Sequence, residues 1–392
     1  MSKEVVIIGG GVIGLCSAYY LRKAGHDVTV IDKGNITDGA SFGNAGMIVP
    51  SHLVPIASPG MVSKGLRWML SQTSPFYIRP RLNSELIRWG RQFYRSSTTE
   101  HIKRSTQPLG DYLRLSKKLF GELTLNSEEY FFQNAGLLVA YQSEKNATAE
   151  ISDADIAQQY GLNVRILSKD QIPEIEKNIS IQAEGAVYYS GDMHLHPGKF
   201  MQHLHSSLEE MGVLFHLNTE VGNLNHNGKK IESVKTHFGK ISADEFVLAA
   251  GAWSGELLKP LGIKLSMMPG KGYSFNIEKK KNHPSVPTIL SEGKVAVTPM
   301  SDALRFGGTM EITKLGDQTV RMKRIEGIVH QIRQFYPDLK FDPPALHQIW
   351  NGYRPCSPDG LPYLGRDNTY SNLIICSGHS MLGLTLGPAT GH

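Results

Sequence analysis

The run Gly9-Gly10-Gly11-Val12-Ile13-Gly14 spaces its glycines as G-x-G-x-x-G directly after Val5-Val6-Ile7-Ile8, a continuous β-branched run. The chemistry open to such a segment is the holding of an anion by backbone N–H groups. Gly9 lets the chain turn sharply off a strand. Gly11 removes the side chain where a pyrophosphate must approach, and Gly14 lets the next helix pack tightly on the sheet. Val12 and Ile13 open that helix, whose unpaired N–H groups and partial positive charge suit phosphate. Asp32, eighteen residues beyond Gly14, stands at the spacing of an acid that accepts hydrogen bonds from ribose hydroxyls, with Lys33 beside it.

These residues need a strand, a helix and a second strand to hold them, and the sequence supplies all three. Val5 to Ile8 reads as a strand buried on both faces. Val12 to Ala24 is helical, with Ile13, Ser17, Tyr20 and Leu21 marking one face and Gly25 as the stop. Asp27 to Asp32 is a second buried strand. The glycine spacing alone also fits an ordinary glycine-rich turn, but this order within one short unit points to a dinucleotide-binding fold. It does not separate FAD from NAD.

Composition narrows the rest. The chain has 392 residues, 40% hydrophobic and 20% charged, with a net charge of +5 spread thinly. That is enough for two domains or one large one, and it gives nucleic-acid binding little support. Cys16, Cys356 and Cys376 are too few and scattered for a disulfide framework or a zinc site, so no metal is expected and a reducing, cytoplasmic compartment fits. Met1 to Glu4 leads straight into a strand without a signal-peptide pattern. No run approaches the roughly 18 apolar residues that cross a bilayer. Met61 to Phe76 mixes Met, Leu, Trp and basic residues. This reads first as a helix and loop packed on their own domain, with peripheral contact to an anionic membrane face as the alternative.

Further along, four motifs occur in one order: Ser41-Phe42-Gly43-Asn44-Ala45-Gly46-Met47, Phe246 to Ser254, Trp350 to Pro362, and Leu373 to Gly383. Together they resemble the D-amino-acid dehydrogenase branch of the flavin-dependent amine oxidoreductases, relatives of glycine oxidase and sarcosine oxidase. The resemblance spans essentially the whole chain. It implies an α/β protein, α+β overall, with a Rossmann-like FAD-binding domain and a substrate domain of antiparallel sheet plus helices. The expected division is 1–50, 192–262 and 352–392 for FAD, and 51–191 and 263–351 for substrate.

In such proteins Ser41, Asn44, Ala45, Gly46 and Met47 would pass along the pyrophosphate, ribityl chain and ring. Val221 would contact adenine through its backbone, and Ala250, Gly251 and Trp253 would close the nucleotide domain. Gly378, His379, Met381, Leu382 and Gly383 would turn toward the flavin. The resemblance assigns Arg354, in a G-x-R-P-x-x-x-D-G-x-P pattern, to the substrate carboxylate, for which a guanidinium fork is suited. Tyr273 would reach the carboxylate or cap the cavity, and His52 would face it. The competing roles are a structural salt bridge for Arg354, strand packing for Tyr273 and structural roles for His52 and His379.

The implied reaction is hydride transfer from the substrate Cα to flavin N5, then hydrolysis to a 2-oxo acid and ammonia, with no strong general base. Met381 stands where glycine oxidase carries an arginine, and Gly352 where sarcosine oxidases carry their flavin-linked cysteine, so FAD is expected to be non-covalent. The chain stops at Gly391-His392, where the family's last helix usually continues. The runner-up substrates are D-proline, D-hydroxyproline or other secondary amines. The rival from another class is a dinucleotide-binding sensor without catalysis. Oxygen, a quinone and a carrier protein all stay open as electron acceptor.

Overall fold

The computed structural model describes residues 1–69, 71, 73–79, 81, 83–123 and 128–392. The strand Glu4–Ile8 carries Val5 to Ile8 fully inward, runs through Gly9 into the helix Val12–Lys23, and returns as Asp27–Ile31. The two strands pair in parallel, Ile8 beside Ile31, and Glu245–Leu248 joins the other side with Leu248 beside Ile8. The sheet completed by these strands has the order Tyr363–Arg366, Leu373–Ser377, Glu245–Leu248, Glu4–Ile8, Asp27–Ile31, Leu214–His216. It is parallel except at Tyr363–Arg366. Strands buried on both faces read as unbroken apolar runs, which is why this half was visible in the sequence.

The first helix is buried more widely than the face Ile13, Ser17, Tyr20, Leu21 predicts. Val12, Gly14, Leu15, Cys16, Ser17 and Ala18 are inside, while Ile13, Tyr20 and Leu21 are only partly covered. The reason is tertiary. The Gly383–Gly391 helix lies on its flank, with Gly387 against Val12 and Cys16, and Leu204 and Leu208 of the Pro197–Glu210 helix share its core. One-sided periodicity disappears when a helix is covered from several sides.

The second sheet has nine strands among the described residues. Its order is Trp350–Cys356, Met268–Glu278, Ala303–Ile312, Val295–Pro299, Thr288–Leu290, Leu137–Tyr141, Gly185–Tyr189, Val164–Ser168, with Phe76–Ile78 alongside Ala303–Ile312. It is antiparallel apart from two short parallel pairings. The Met322–Phe335 helix covers one face, and Phe275, Leu304, Phe306, Ile325, Ile328 and Ile332 form the core between them. The opposite face looks toward the first sheet. Residues 352–356, grouped from sequence with the nucleotide domain, pair in this second sheet. The chain reaches the first sheet only at Tyr363, because the backbone of Trp350–Cys356 is bonded along its length to Met268–Glu278.

Candidate active site

Strand alternation decides what faces the space between the sheets. On Trp350–Cys356, residues Trp350, Gly352, Arg354 and Cys356 share one face. Opposite them in register stand Ser274, Gly272, Gly270 and Met268. Ser274 pairs onward with Gly307, and Gly307 with Ala296, so a row of small side chains crosses the sheet. The Ser41 to Met47 loop rests on this row. Ser274 Oγ donates to the Gly43 carbonyl at 2.8 Å, and Arg305 Nη1 donates to the Asn44 carbonyl at 2.8 Å. Asn44 Oδ1 in turn accepts from Gly46 N at 2.5 Å. With these carbonyls turned to the sheet, the loop stands as a wall of small residues.

Between the loop and the sheet runs a cavity of about 810 Å³. One end is built from the glycine turn. Gly9 takes φ +112°, and a β-carbon there would run into the Ala249 carbonyl, so no side chain fits. The first helix turn holds no acidic residue, and the Val12 N–H takes Ser41 Oγ at 3.0 Å. Asp32 uses one oxygen on Gly10 N at 2.6 Å and the other on Gly34 N at 2.7 Å, leaving outward lone pairs. Lys33 Nζ sits 3.4 Å from the centre of the Trp253 ring. Of the residues expected to meet the cofactor, Gly14, Gly46 and Gly378 stand behind the wall rather than on it. Added side chains there would strike the Gly9 carbonyl, the Leu195 carbonyl and the Tyr363 ring respectively, so their work is close packing. The others, from Gly9, Gly11, Val12, Ile13, Asp32 and Lys33 through Ser41, Asn44, Ala45 and Met47 to Val221, Ala250, Gly251, Trp253, His379, Met381, Leu382 and Gly383, all line the cavity.

Arg354 lies at the other end. Its guanidinium occupies the space over Gly272, where a methyl would overlap it. Nη1 donates to the Thr309 carbonyl at 3.0 Å. Among the described residues no carboxylate lies within salt-bridge distance of it. Burial pushes its pKa down from the usual arginine value, against a weak opposing effect of Cys356. A cation taken from water without an anion is a standing electrostatic cost. Its remaining N–H groups are suited to an anion entering from the cavity.

The other two expected catalytic side chains are placed differently. Tyr273 lies between Gly272 and Ser274 in the strand, so its side chain points to the opposite face. There it is 1% exposed within the helix-covered core, and its hydroxyl reaches Glu311 Oε2 at 3.3 Å. Tyr273 borders the cavity, but the strand's period of two sets its hydroxyl on the face away from Arg354. His52 does line the cavity. Its Nδ1 is 3.2 Å from Ser51 Oγ, which donates to buried Asp192 at 2.5 Å. Burial holds His52 down to about 4, so it is neutral near pH 7, and pushes Asp192 up to about 7 against the opposing Ser51 bonds. His379, bonded to Thr390 Oγ1 at 3.0 Å, is likewise held neutral by burial, down to about 3.

Several contributors escaped the sequence reading: Gly272, Ser274, Arg305, Thr309, Trp350 and the Ser51–Asp192 pair. One signal was present. Gly307-Gly308 inside an otherwise apolar strand pattern marks a bulge or a close backbone approach. The three thiols are all buried, and no cluster of metal-binding side chains occurs among the described residues.

The chain is similar to known proteins over essentially its whole length. Residues 4–392 match the family described as FAD dependent oxidoreductase. A D-amino acid dehydrogenase of Helicobacter pylori is 31% identical over 392 residues, covering 100% of this chain and 93% of the relative. One from Vibrio cholerae is 34% identical over 399 residues, covering 98% and 92%. Among solved structures, glycine oxidase from Bacillus cereus superposes with a TM-score of 0.77 at 24% identity, covering 100% of this chain and 93% of that one. An L-alpha-glycerophosphate oxidase from Mycoplasma pneumoniae with FAD bound gives 0.73 at 17% identity, covering 100% and 93%.

Proposed function

Because the chain belongs to the FAD-dependent oxidoreductase family, we propose that it is a D-amino acid dehydrogenase, converting a D-amino acid to a 2-oxo acid and ammonia. The carrying observation is Arg354: a half-buried guanidinium with no acidic partner among the described residues, open to a cavity that also reaches the glycine turn. A zwitterionic substrate brings the missing anion. The stereochemical assignment follows the relatives' names.

FAD fits the residues present. Gly9, Gly11, Val12 and Ile13 would border the pyrophosphate at the helix N-terminus, with Ser41 beside the Val12 N–H, and Asp32 would meet the ribose. Lys33, Val221, Ala250, Gly251 and Trp253 would surround the adenosine end. Ser41, Asn44, Ala45 and Met47 would border the ribityl chain and ring, with His379, Met381, Leu382 and Gly383 at the ring's far edge. The cavity-facing residue Gly352 has no side chain, and burial raises the Cys356 thiol to about 11, so neither offers a thiolate for a covalent link. When bound, the flavin supplies the two-electron oxidation of the amine carbon.

The chain's own residues bind and aim. Arg354 fixes the carboxylate bidentately, which leaves Cα–H one orientation within the cavity. Neutral His52 offers a hydrogen bond without competing as a cation. Val49, Leu53, Val139 and Ile289 line the same space and keep it poor in water. The test is anaerobic bleaching of the yellow enzyme against D- and L-amino acids, both prolines included. Reduction by the D series supports the assignment; reduction only by L-isomers, or by none, refutes it. A colourless protein would favour the sensor reading.

We also infer a peripheral membrane contact. Leu66, Ile87 and Tyr94 are exposed at 62%, 63% and 68%, beside the exposed Arg67, Arg88, Arg91 and Arg95. The helices that carry them, Met61–Trp68 and Ser84–Ser96, meet the cavity through Met61, Trp68, Trp89 and Phe93. Leu70 and Gln72, in the same stretch, lie outside the described residues. No described helix is long and apolar enough to cross a membrane, and a basic, apolar face suits an anionic lipid surface. Co-sedimentation with phosphatidylglycerol vesicles but not phosphatidylcholine vesicles is the expected result. Membrane contact favours a quinone as acceptor, and faster reoxidation by a soluble quinone than by oxygen checks that.

A further inference from the structure

The large sheet is irregular at one place, and that place touches Arg354. Lys271 pairs with Glu311 and Tyr273 with Gly308. Gly272 alone on one strand therefore faces both Thr309 and Met310 on the other, which is a bulge. Thr309 takes φ +59° there. A β-branched residue in the left-handed region is strained and persists only where its surroundings hold it, most often beside functional sites.

Two polar atoms show what the bulge achieves. The Thr309 carbonyl is turned to accept from Arg354 Nη1 at 3.0 Å. The Thr309 hydroxyl, on a residue 7% exposed, has no hydrogen-bond partner among the described residues. The residue lines the cavity beside the guanidinium, and it also borders a smaller space near Glu292 and Gln331. A buried hydroxyl left unpaired is unfavourable unless something that enters the site completes it.

We propose that Thr309 is a substrate-binding and positioning residue: its carbonyl aims the Arg354 fork, and its hydroxyl donates to the carboxylate that Arg354 pairs with. This rests on the assignment of Arg354 to the carboxylate. An arginine held, among the described residues, by a single carbonyl can swing. A second donor on the neighbouring bulge fixes which oxygen of the anion lies where, and so where Cα points.

Isosteric Thr309→Val, Thr309→Ser, Thr309→Gly and Arg354→Gln are compared on the FAD-loaded enzyme. The readouts are the Kd of benzoate from the shift of the flavin spectrum, and KM and kcat with a D-amino acid. Thr309→Val should raise the benzoate Kd and KM about tenfold to a hundredfold, the range for a lost bond to a charged group, with the effect on KM exceeding that on kcat. Thr309→Ser should stay within about threefold of wild type on the same scale. Thr309→Gly, which relieves the left-handed backbone, should lose affinity as Thr309→Val does while melting no lower than wild type. Wild-type affinity in Thr309→Val, or a serine variant as weak as the valine one, overturns the proposal. Arg354→Gln separates the two levels. If it loses benzoate while Thr309→Val does not, only the threonine assignment falls. If it too binds normally, the carboxylate assignment has failed.

Discussion

Replacing Arg354 with glutamine tests the site where function and stability should part company. Among the described residues the guanidinium makes one hydrogen bond, to the Thr309 carbonyl, and no ion pair. A carboxylate would add two charge-assisted bonds of about 1.5–3 kcal/mol each. A glutamine amide recovers about a third of that, so a net loss of about 2–4 kcal/mol is expected, or roughly 30-fold to 1000-fold in affinity. The cost of burying the charge runs the other way. Removing a half-buried cation that has no ion-pair partner among the described residues should cost the folded state little, so the melting temperature should hold or rise slightly. The assay pairs anaerobic flavin reduction, giving kcat/KM for a D-amino acid, with thermal unfolding followed by circular dichroism. A carboxyl-free amine of the same side chain serves as control, and its weak binding should be unaffected. Retained kcat/KM within about threefold would refute the carboxylate site. A melting point more than about 10 °C lower would show that the guanidinium holds the fold instead.

Other perturbations follow from the same geometry. Gly272→Ala puts a methyl into the Arg354 guanidinium. KM should rise at least about tenfold while flavin content stays normal, as read from the ratio of flavin to protein absorbance. Asp32→Asn sets an amide N–H against a backbone N–H at Gly10 or Gly34. It should cost about 1–3 kcal/mol, seen as a weaker FAD Kd in fluorescence titration and a lower melting point of the apoprotein. Asp192 carries the pH prediction. Its native pKa of about 7 exceeds the unfolded value near 3.9, so the folded protein binds the extra proton and stability falls as pH rises from about 4 to 7, by up to about 4 kcal/mol. Asp192→Asn should remove that slope. The buried histidines His52 and His379, depressed by burial, destabilise toward acid in both proteins and cancel in the difference. Urea unfolding of the pair at pH 4.5 and 7.5 measures it, and equal differences at the two pH values would contradict the assignment.

Tyr273 and Arg354 show why the reading of the site was uneven. Both were singled out by motif resemblance, and both lie on adjacent strands of one sheet. Which face each presents depends on register, and a shift of one residue exchanges the faces. The partners of Arg354 come from Gly272 and Thr309, which are remote in sequence. Arg305, Ser274 and Asp192 likewise act through contacts with loops more than 100 residues away. Nothing local marks such residues, since an arginine, a serine or an aspartate in a strand or loop has many uses.

The nucleotide end stands at the opposite extreme. Strand, glycine turn, helix, strand and acid form one short unit whose geometry follows from backbone requirements alone: a sharp turn at Gly9, close approach at Gly11, a parallel pair and a terminal carboxylate. Local sterics and hydrogen bonding dictate that arrangement, so 32 residues of sequence were enough to announce it. The substrate end is assembled from strand faces and a bulge that exist only once the second sheet has formed. Its decisive property, a half-buried guanidinium without a partner anion among the described residues, is a relation among distant side chains, and only the folded chain brings those together.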